Sequence, residues 1–548
     1  MDTPRVIMYA VLGLLVYFII QQWQKDFPPQ PQEEITYTQT NNQGLPDIEK
    51  KPKNAATEAI LPKQEMFSQT SLVEVKTDVL KLKIDLNQGE IVEASLNKYP
   101  ISLNDSAPIE ILSKNINRQF VAKSQLVSMG DTGLNVDDFN FQTADKSYQL
   151  EKNKENLTID LVGTNKNGIR VVKSYNLKRG SYLIEISYKI FNESAKAWKG
   201  YLNTQIVQSS PPESQGGLFQ IGTYSGPSYS DPLVHKFKKY PFQSMEKNNL
   251  NIKTKGGWIA MQQHYFLVSF IPQEAQKNTL YTRAMNDTYT IGTLGQPIIV
   301  EPQETHTAEA RLYIGPELTH ILKNIAPSLD MTVDYGLLWF ISSALFSVMK
   351  LIDAFVGNWG FTIILVTLLI KLCFYRLSAS SYKSMAGMRN LQPKLEALKA
   401  RFGEDKAKLS QATMELYRQE KINPFGGCLP IVIQIPVFIA LYWVLIESVE
   451  LRQAPFIFWI HDLSSPDPYH VLPVIMGISM LIQQRLNPAP PDPMQAKMMM
   501  FLPVLFTGIF WNFPAGLVLY WIVNNFLSIL QQWWITKGVL KDGSKSTK

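Results

Sequence analysis

One lysine stands within the apolar part of the chain. Lys371 directly follows ten uncharged residues, 361–370, and an ionisable side chain at the centre of a membrane helix costs about 2.5 to 3.5 kcal/mol on insertion scales. An ammonium group in such a place attracts acidic polypeptide, because two opposite charges about 4 Å apart interact by about 4 kcal/mol at an effective dielectric near 20. Arg376 lies only five residues further on. The Lys371 ammonium therefore reaches either the cytoplasmic headgroups or the interior of a helix bundle, and the sequence leaves both placements open.

Other polar side chains fall inside neighbouring apolar segments. They are Thr362, Thr367, Gln434, Gln483, Gln484, Asn524, Asn525 and Ser528. Polar groups within membrane spans tend to face a bundle interior or a hydrated cavity, so we expect these residues to line one together with Lys371. No acidic residue lies well inside the same segments, which argues against a proton relay or an ion-coupled transporter.

Signals for enzymatic chemistry are weak in the large polar segment of the chain. It contains four histidines, His235, His264, His306 and His320. Their spacing matches neither a metal site nor a catalytic triad, and the chain has no phosphate-binding GxxxxGK[ST] loop. We predict no enzymatic activity, no cofactor and no metal. A formal charge of +6 over 548 residues is too small a surplus to predict a nucleic-acid substrate.

The elements that would position these side chains are membrane helices. Charged residues make up only 18% of the chain, below the roughly 25% of an average soluble protein. The pattern predicts a polytopic α-helical membrane protein with six transmembrane helices and a large all-β domain. The predicted helices are an N-terminal anchor at 1–23 and five further spans at 357–377, 423–447, 470–486, 495–512 and 513–536. The two cysteines, Cys373 and Cys428, lie in or beside apolar runs and offer no disulfide scaffold.

The first span and the loop charges predict the orientation. Arg5 precedes the first apolar run, and no small-residue cleavage pattern follows it, so an uncleaved anchor with a cytoplasmic N-terminus is favoured over a signal peptide. Residues 376–421 contain ten Lys or Arg and the residues after 535 contain four, whereas 447–469 contains only Arg452. This bias predicts a cytoplasmic hairpin at 378–422, a periplasmic loop at 448–469, a cytoplasmic loop at 487–494 and a basic cytoplasmic tail at 537–548.

The fifth span is short for a bilayer. Its apolar part, 498–511, has 14 residues, which as a helix extend about 21 Å against a hydrocarbon core of about 30 Å. We expect the bilayer to be thinner beside it.

The region between the first two spans divides into a linker and a β domain. Residues 24–56 are rich in Gln, Pro, Asn and Thr and predict a flexible linker. Alternating apolar and charged residues follow, for example at 80–86 and 157–161, and a turn signal at 178–181 separates two such runs. We predict an all-β sandwich outside the membrane at 57–330.

Two amphipathic helical segments flank the second span. Residues 331–356 predict a helix that lies along the outer interface, with a linker helix packed on the β domain as the alternative. Residues 378–422 predict an antiparallel helical hairpin interrupted at Gly403, with an apolar face formed by Met385, Met388, Leu391, Leu395 and Leu398. The basic surplus of this hairpin is explained either by positive-inside retention or by contact with ribosomes, targeting factors or anionic lipid.

Several motifs together resemble the YidC family of membrane protein insertases. They are NPFGGCLP at 423–430, IQIP at 433–436, ELRQAPF at 450–456, WIHDL at 459–463, DPM at 492–494 and FPAGLVLY at 513–520. The similarity covers about 330–537 closely, and the anchor with its large outer domain resembles the Gram-negative branch of the family.

The resemblance implies a fold and a function. The fold is a five-helix insertase core whose groove opens to the cytoplasm and to lipid but is closed to the periplasm, with a periplasmic super-sandwich similar to sugar-mutarotase folds. The function is insertion and folding of nascent membrane proteins in the inner membrane, alone or with the Sec translocon. The implied groove residues are Lys371, Gln434, Phe438, Tyr520 and Trp521, besides the polar Thr367, Asn524 and Ser528.

One position departs from the family pattern. Lys371 stands where the family usually has Arg, so a role that needs a bidentate guanidinium is weakened while simple attraction of acidic groups is kept. Two other functions compete with insertion. A small-solute transporter would use the same cavity, although no inverted repeat supports it. An assembly chaperone without insertase activity would use the β domain and the hairpin as docking surfaces.

Overall fold

The computed structural model describes residues 71–115, 118–130, 133–209, 223–402, 405–420, 429–487 and 493–545. All of them belong to one compact unit, Lys53–Lys548. The predicted anchor at 1–23, the linker at 24–56 and the predicted hairpin residue Gly403 lie outside the described residues, as does most of the NPFGGCLP motif.

Two large sheets form the β domain. The first has twelve strands: β1 Leu72–Lys76, β2 Leu80–Asp85, β3 Glu90–Ser102, β4 Asp105–Asn115, β5 Arg118–Gly130, β6 Gly133–Val136, β7 Ser147–Gln149, β11 Trp198–Ser209, β14 Asn251–Lys255, β17 Lys277–Met285, β18 Thr288–Leu294 and β19 Ile298–Val300. The second has eight: β8 Asn156–Thr164, β9 Ile169–Lys178, β10 Leu183–Asn192, β12 Gly226–Asp231, β13 His235–Lys239, β15 Trp258–Gln263, β16 Phe266–Ile271 and β20 Thr305–Pro316. The paired strands are antiparallel except β1 and β7.

The predicted turn at 178–181 joins β9 and β10 as an antiparallel hairpin. Gly180 occupies its left-handed position at φ +68°, which glycine adopts without the steric cost of a β-carbon. Burial alternates along β9 from Ile169 to Leu177, as expected for a strand with one face on a core. The predicted all-β sandwich is confirmed.

Helices make up most of the remaining described chain. Two short ones belong to the β domain, α1 Phe242–Lys247 and α2 Thr319–Ile325. Nine follow it: α3 Trp339–Val356, α4 Trp359–Cys373, α5 Tyr375–Asn390, α6 Gln392–Phe402, α7 Lys406–Gln419, α8 Leu429–Glu447, α9 Val471–Leu486, α10 Pro493–Ile509 and α11 Ala515–Lys545. Helix α11 packs against α4, α5 and α9, so it forms the centre of the bundle.

The apolar helices differ in length. Among the described residues, Gly336–Val356 is long and apolar enough to cross a bilayer alone. Trp359–Cys373 and Tyr375–Asn390 satisfy the same criterion together but are bent by 69° at their junction. Three other apolar helices are shorter, Gln434–Glu447, Val471–Leu486 and Lys497–Asn512. A helix of 16 residues extends only about 24 Å.

The segment predicted as a two-armed hairpin contains three helices. Helix α5 continues directly from α4 after the bend, and α6 and α7 pack against each other, with Lys394 Nζ 2.5 Å from Glu420 Oε1. Asp405 begins α7 by accepting hydrogen bonds from the backbone N–H groups of Ala407 and Lys408 at 3.2 and 3.1 Å. Of the five predicted apolar-face residues, Leu391 is buried and the other four are half-buried.

The loop between α8 and α9 is organised by two carboxylates. Asp467 accepts hydrogen bonds from Trp459 Nε1 at 2.9 Å and from the Leu472 N–H at 2.7 Å, which caps the first turn of α9. Asp462 accepts from the Gln453 N–H at 3.0 Å and from the Ser464 N–H at 2.8 Å. These bonds hold the loop against the ends of the helices that it connects.

Candidate functional site

Lys371 points into the bundle. Its side chain is 7% exposed, and Nζ donates a hydrogen bond of 2.7 Å to Ser528 Oγ on α11. Among the residues that the structure describes, no carboxylate forms an ion pair with this ammonium. Of the two placements that the sequence leaves open, the structure has the one in the bundle interior.

Ser528 bonds both to Lys371 and to its own helix. A hydroxyl offers one donor and two acceptor positions. The Ser528 hydroxyl donates to the Asn524 carbonyl at 2.7 Å and accepts from Lys371, and the Tyr382 side chain on α5 lies beside it. Tyr382 itself is buried, because after the bend that follows α4 helix α5 packs against α11. Lys371, Ser528 and Tyr382 therefore form one polar cluster, here called the lysine cluster.

A second group of predicted residues forms an aromatic cluster. Its members are Phe438, Phe506, Phe510, Tyr520 and Trp521. The Phe438 ring centroid lies 4.6 Å from Trp521 in an edge-on arrangement and 6.2 Å from Tyr520 in a stacked one. Trp521 also lies 5.2 Å from Phe510. Rings packed at these distances leave little room for water between α8, α10 and α11.

The two clusters lie at different heights along α11. Ser528 follows Trp521 by seven residues, about 10 Å along a helix, and follows the start of the helix at Ala515 by about 20 Å. Ala515 donates its backbone N–H to Ser465 in the loop between α8 and α9 at 2.8 Å. The aromatic cluster therefore lies between that loop and the lysine cluster.

The other predicted groove residues have different surroundings. Thr367 is buried and its hydroxyl donates to the Ile363 carbonyl of its own helix at 2.6 Å, so its polarity is satisfied within α4. Gln434 and Asn524 are half-buried. The sequence predicts a hydrated cavity around Lys371, and in this structure the three side chains of the lysine cluster are each less than 10% exposed. Packing of α5 against α11 accounts for this burial.

The sequence analysis missed Tyr382. It lies in the segment predicted as a cytoplasmic hairpin, and only the bend at Phe374 brings it to Ser528. The sequence carries no glycine or proline at 372–376 that would have marked this bend. It also missed Phe506 on α10 and Phe510 in the 3-10 turn directly after it, whose spacing of four places them on the same side of the chain.

Ser528→Ala tests the lysine cluster. A hydrogen bond to a charged group contributes about 1.5 to 3 kcal/mol, so we expect this change to lower the free energy of unfolding of the bundle by about 2 kcal/mol. In the Lys371→Met background the same change should cost much less, because the ammonium is gone. Thermal unfolding of the four proteins in detergent measures this coupling.

Ser347→Ala is the matched control for this experiment. The Ser347 hydroxyl also donates to a carbonyl four residues earlier, at 2.8 Å, but it lies on the exposed side of α3. We expect it to have little effect in either background. Equal costs of Ser528→Ala with and without Lys371 would show that the two side chains are not coupled.

Comparison with known families gives matches along nearly the whole described chain. Residues 72–348 match the family model described as YidC periplasmic domain, and residues 351–542 match the one described as 60Kd inner membrane protein. The boundary between the two falls within α3.

Named relatives match at full length. The membrane protein insertase YidC of Legionella pneumophila (strain Paris) is 56% identical over 98% of this chain and 97% of its own. That of Coxiella burnetii (strain CbuK_Q154) is 44% identical over the same shares. A solved structure of an active YidC insertase has a TM-score of 0.37 and 18% identity over 85% of this chain and 92% of its own.

Proposed function

The chain belongs to the YidC family of membrane protein insertases, and we propose that it inserts its substrates past the lysine cluster, with Lys371 as the group that attracts them. The family membership confirms the predicted insertase function, with nascent membrane proteins as substrates in the inner membrane. It also agrees with the prediction that the protein is not an enzyme. The part played by each residue is our proposal.

The observation that carries this role is a buried cation that has no acidic partner among the described residues. Lys371 is held by a neutral hydroxyl, and a buried charge that lacks an opposite charge is poorly compensated. An acidic segment of a substrate that enters from the cytoplasm supplies that charge. At an effective dielectric near 20 the attraction is about 4 kcal/mol at about 4 Å, which favours binding and still permits release.

Entry to Lys371 requires α5 to move. Tyr382 on α5 lies beside Ser528 and α5 packs against α11, so displacement of α5 from α11 would admit both water and the substrate segment. The polar tail of the substrate is then hydrated part of the way across the membrane, while its apolar helix leaves along the bundle into lipid. Burial of that helix in lipid drives the step and requires no nucleotide.

Short helices lower the barrier further. The apolar helices Val471–Leu486 and Lys497–Asn512 extend about 24 Å against a hydrocarbon core of about 30 Å. Between the polar ends of these helices the exposed side chains are mainly apolar and include Ile475, Ile478, Ile482, Phe501 and Leu505. Lipid that covers these side chains must be thinner than usual, which shortens the path of the polar segment.

The aromatic cluster closes the periplasmic end. It lies about 10 Å from the lysine cluster along α11, in the direction of the loop that joins α8 and α9. A groove that ends at packed rings admits a substrate from one side and does not become a continuous aqueous pore.

We propose six membrane crossings with both termini in the cytoplasm, within the boundaries that the sequence predicts. Helix α3 is assigned to the outer interface, although its length would allow it to cross. Phe346 stacks on Trp359 with ring centroids 6.2 Å apart. If α3 and α4 crossed the membrane as an antiparallel pair joined at Gly357, Phe346 would lie opposite a residue about eleven positions after Gly357, well beyond Trp359. The contact thus favours a helix that crosses the end of α4.

We also propose partners beyond the substrates. The hairpin at 378–422 and the tail at 537–548 carry the basic surplus that would contact ribosomes, targeting factors or anionic lipid on the cytoplasmic side. The Sec translocon is a further partner that the resemblance implies.

Site-specific photocrosslinking tests this function. A crosslinker at Gln434 or Tyr520 is expected to capture a nascent membrane protein during insertion, because Gln434 lines the proposed path and Tyr520 lies where that path ends at the aromatic cluster. Phe526 on α11 is exposed on the outer surface of the bundle and supplies the control position. An assembly scaffold without insertase activity would give no adducts at Gln434 and Tyr520, and that result would contradict the proposal.

A further inference from the structure

The tip of the hairpin formed by β3 and β4 is apolar and exposed. Ile101 and Leu103 are 50% and 54% exposed. The polar groups of the turn are engaged locally: Ser102 Oγ accepts from the Asp105 N–H at 3.1 Å, and Asp105 Oδ1 accepts from the Ala107 N–H at 2.9 Å. Residues 101–104, here called the hairpin tip, therefore present aliphatic side chains outward.

Side chains from the bundle hold this tip in place. Arg452 Nη2 donates to the carbonyls of Pro100 and Ile101 at 2.8 and 3.0 Å, and Gln453 Nε2 donates to the Pro100 carbonyl at 3.3 Å. Two donors from consecutive residues on one short stretch of backbone fix both the position and the direction of the hairpin.

The contact with Arg452 places the hairpin tip at the level of the helix ends. Arg452 follows the end of α8 at Glu447 by only five residues and belongs to the loop that leads to α9. A second contact lies beside it, where His264 shares a hydrogen bond of 3.0 Å with the Ile446 carbonyl in the last turn of α8. Both contacts join the β domain to the helix ends, which lie at the membrane surface in a protein of this family.

We propose that the hairpin tip inserts into the headgroup region of the periplasmic lipid leaflet and anchors the β domain on the membrane. The occupant is lipid, because the tip is tied to the outer ends of membrane helices and carries aliphatic side chains with no basic residue. This inference depends on the family membership and is independent of the role given to Lys371.

A second exposed tip in the same domain provides a contrast. Leu233 and Val234, between β12 and β13, are 79% and 70% exposed. Strands β12 and β15 are antiparallel, with Gly226 opposite Gln262 and Ser230 opposite Trp258. Gln262 is two residues before His264, which contacts the end of α8, so Gly226 is at the end of β12 that lies near the helix ends. The chain therefore runs away from the helix ends from Gly226 onward, and Leu233 lies about 20 Å further along the strand direction.

Fluorescence quenching by labelled lipids tests the proposal. The full-length protein with Cys373→Ser and Cys428→Ser receives one cysteine, by Leu103→Cys, Asn104→Cys or Leu233→Cys, and a nitrobenzoxadiazole label. Each protein is reconstituted into phosphatidylethanolamine and phosphatidylglycerol vesicles, with or without a lipid that carries a doxyl quencher near its headgroup. Retained insertase activity identifies the folded samples.

We expect the labels at 103 and 104 to lose more than half of their emission when quencher lipid is present, and the label at 233 to keep it. Equal, water-like emission at all three positions would overturn the proposal. So would a blue-shifted label at 103 that quencher lipid leaves unchanged, because that label would be covered by protein instead of lipid.

Discussion

Lys371→Glu is expected to abolish insertion of a short substrate with an acidic tail, and Lys371→Ala to slow it by roughly tenfold or more, because about 1.4 kcal/mol of lost attraction corresponds to a factor of ten. Lys371→Arg keeps the charge and should retain most of the activity. The measurement is the insertion of the substrate into proteoliposomes with each variant. Neutralising the acidic tail of the substrate should make insertion independent of the residue at 371.

Lys383→Ala is the matched control for this experiment. It removes one positive charge from α5, but Lys383 is exposed. We expect it to leave insertion nearly unchanged, which separates the buried cation from the general basic surplus of the hairpin. Full activity of both Lys371→Ala and Lys371→Glu would remove Lys371 from the mechanism.

A second buried lysine gives the β domain a pH-dependent stability. Lys173 on β9 is fully buried, and its Nζ donates to the Gly89 carbonyl and to the Ser124 carbonyl, the latter at 2.9 Å. The Ser124 carbonyl belongs to β5 of the opposite sheet, and the Gly89 carbonyl to the turn between β2 and β3 of that sheet. The ammonium also lies 5.2 and 5.1 Å from the ring centroids of Tyr175 and Tyr188. Lys173 is therefore a polar link between the two sheets.

Burial lowers the pKa of Lys173 to about 7, against the opposing effect of the nearby Glu90 carboxylate. An unfolded lysine has a pKa of about 10.4, so between these values the unfolded chain binds more protons and stability rises with pH. From pH 7 to 9.5 we expect the free energy of unfolding of the wild type to gain roughly 3 kcal/mol relative to Lys173→Met. Burial raises the pKa of tyrosines such as Tyr175, so above about pH 10 these tyrosines ionise in the unfolded chain only and stability falls again. The pH window for Lys173 therefore ends below about 10.

Urea unfolding of the full-length protein, followed through the β signal in circular dichroism, measures this difference. Lys189→Met removes an exposed lysine from the neighbouring strand β10 and should leave the pH dependence of the wild type unchanged. A constant difference between the wild type and Lys173→Met across the window would contradict the account of Lys173.

The β domain shows what local sequence patterns can predict. The alternation in β9 and the turn at Gly180 gave the correct hairpin, because a period of two residues is a short-range signal. The same alternation places Lys173 in phase with the buried Val171 and Tyr175, a signal for an inward-facing charge that the sequence analysis did not use. The sequence could not supply the carbonyls of Gly89, in the turn between β2 and β3, and of Ser124 on β5, because both are far from Lys173 in the chain.

The helix bundle shows what local sequence patterns do not predict. The sequence identified Lys371 and Ser528 as polar residues of different spans, and the structure joins them. Whether Lys371 faced lipid or the interior depended on the rotation of α4 about its axis, which packing against α11 sets. The position of Tyr382 beside Ser528 depends on the 69° bend between α4 and α5, and that bend has no local sequence signal.

Access to position 371 from each side of the membrane tests the central claim most directly. In a protein with Cys373→Ser and Cys428→Ser, a membrane-impermeant thiol reagent should modify Lys371→Cys from the cytoplasmic side, because movement of α5 admits water there. It should fail from the periplasmic side, because the aromatic cluster intervenes. Leu372→Cys, which is 61% exposed on the outside of the bundle, should react from neither side. Reaction of Lys371→Cys from the periplasm, or from neither side, would contradict the account.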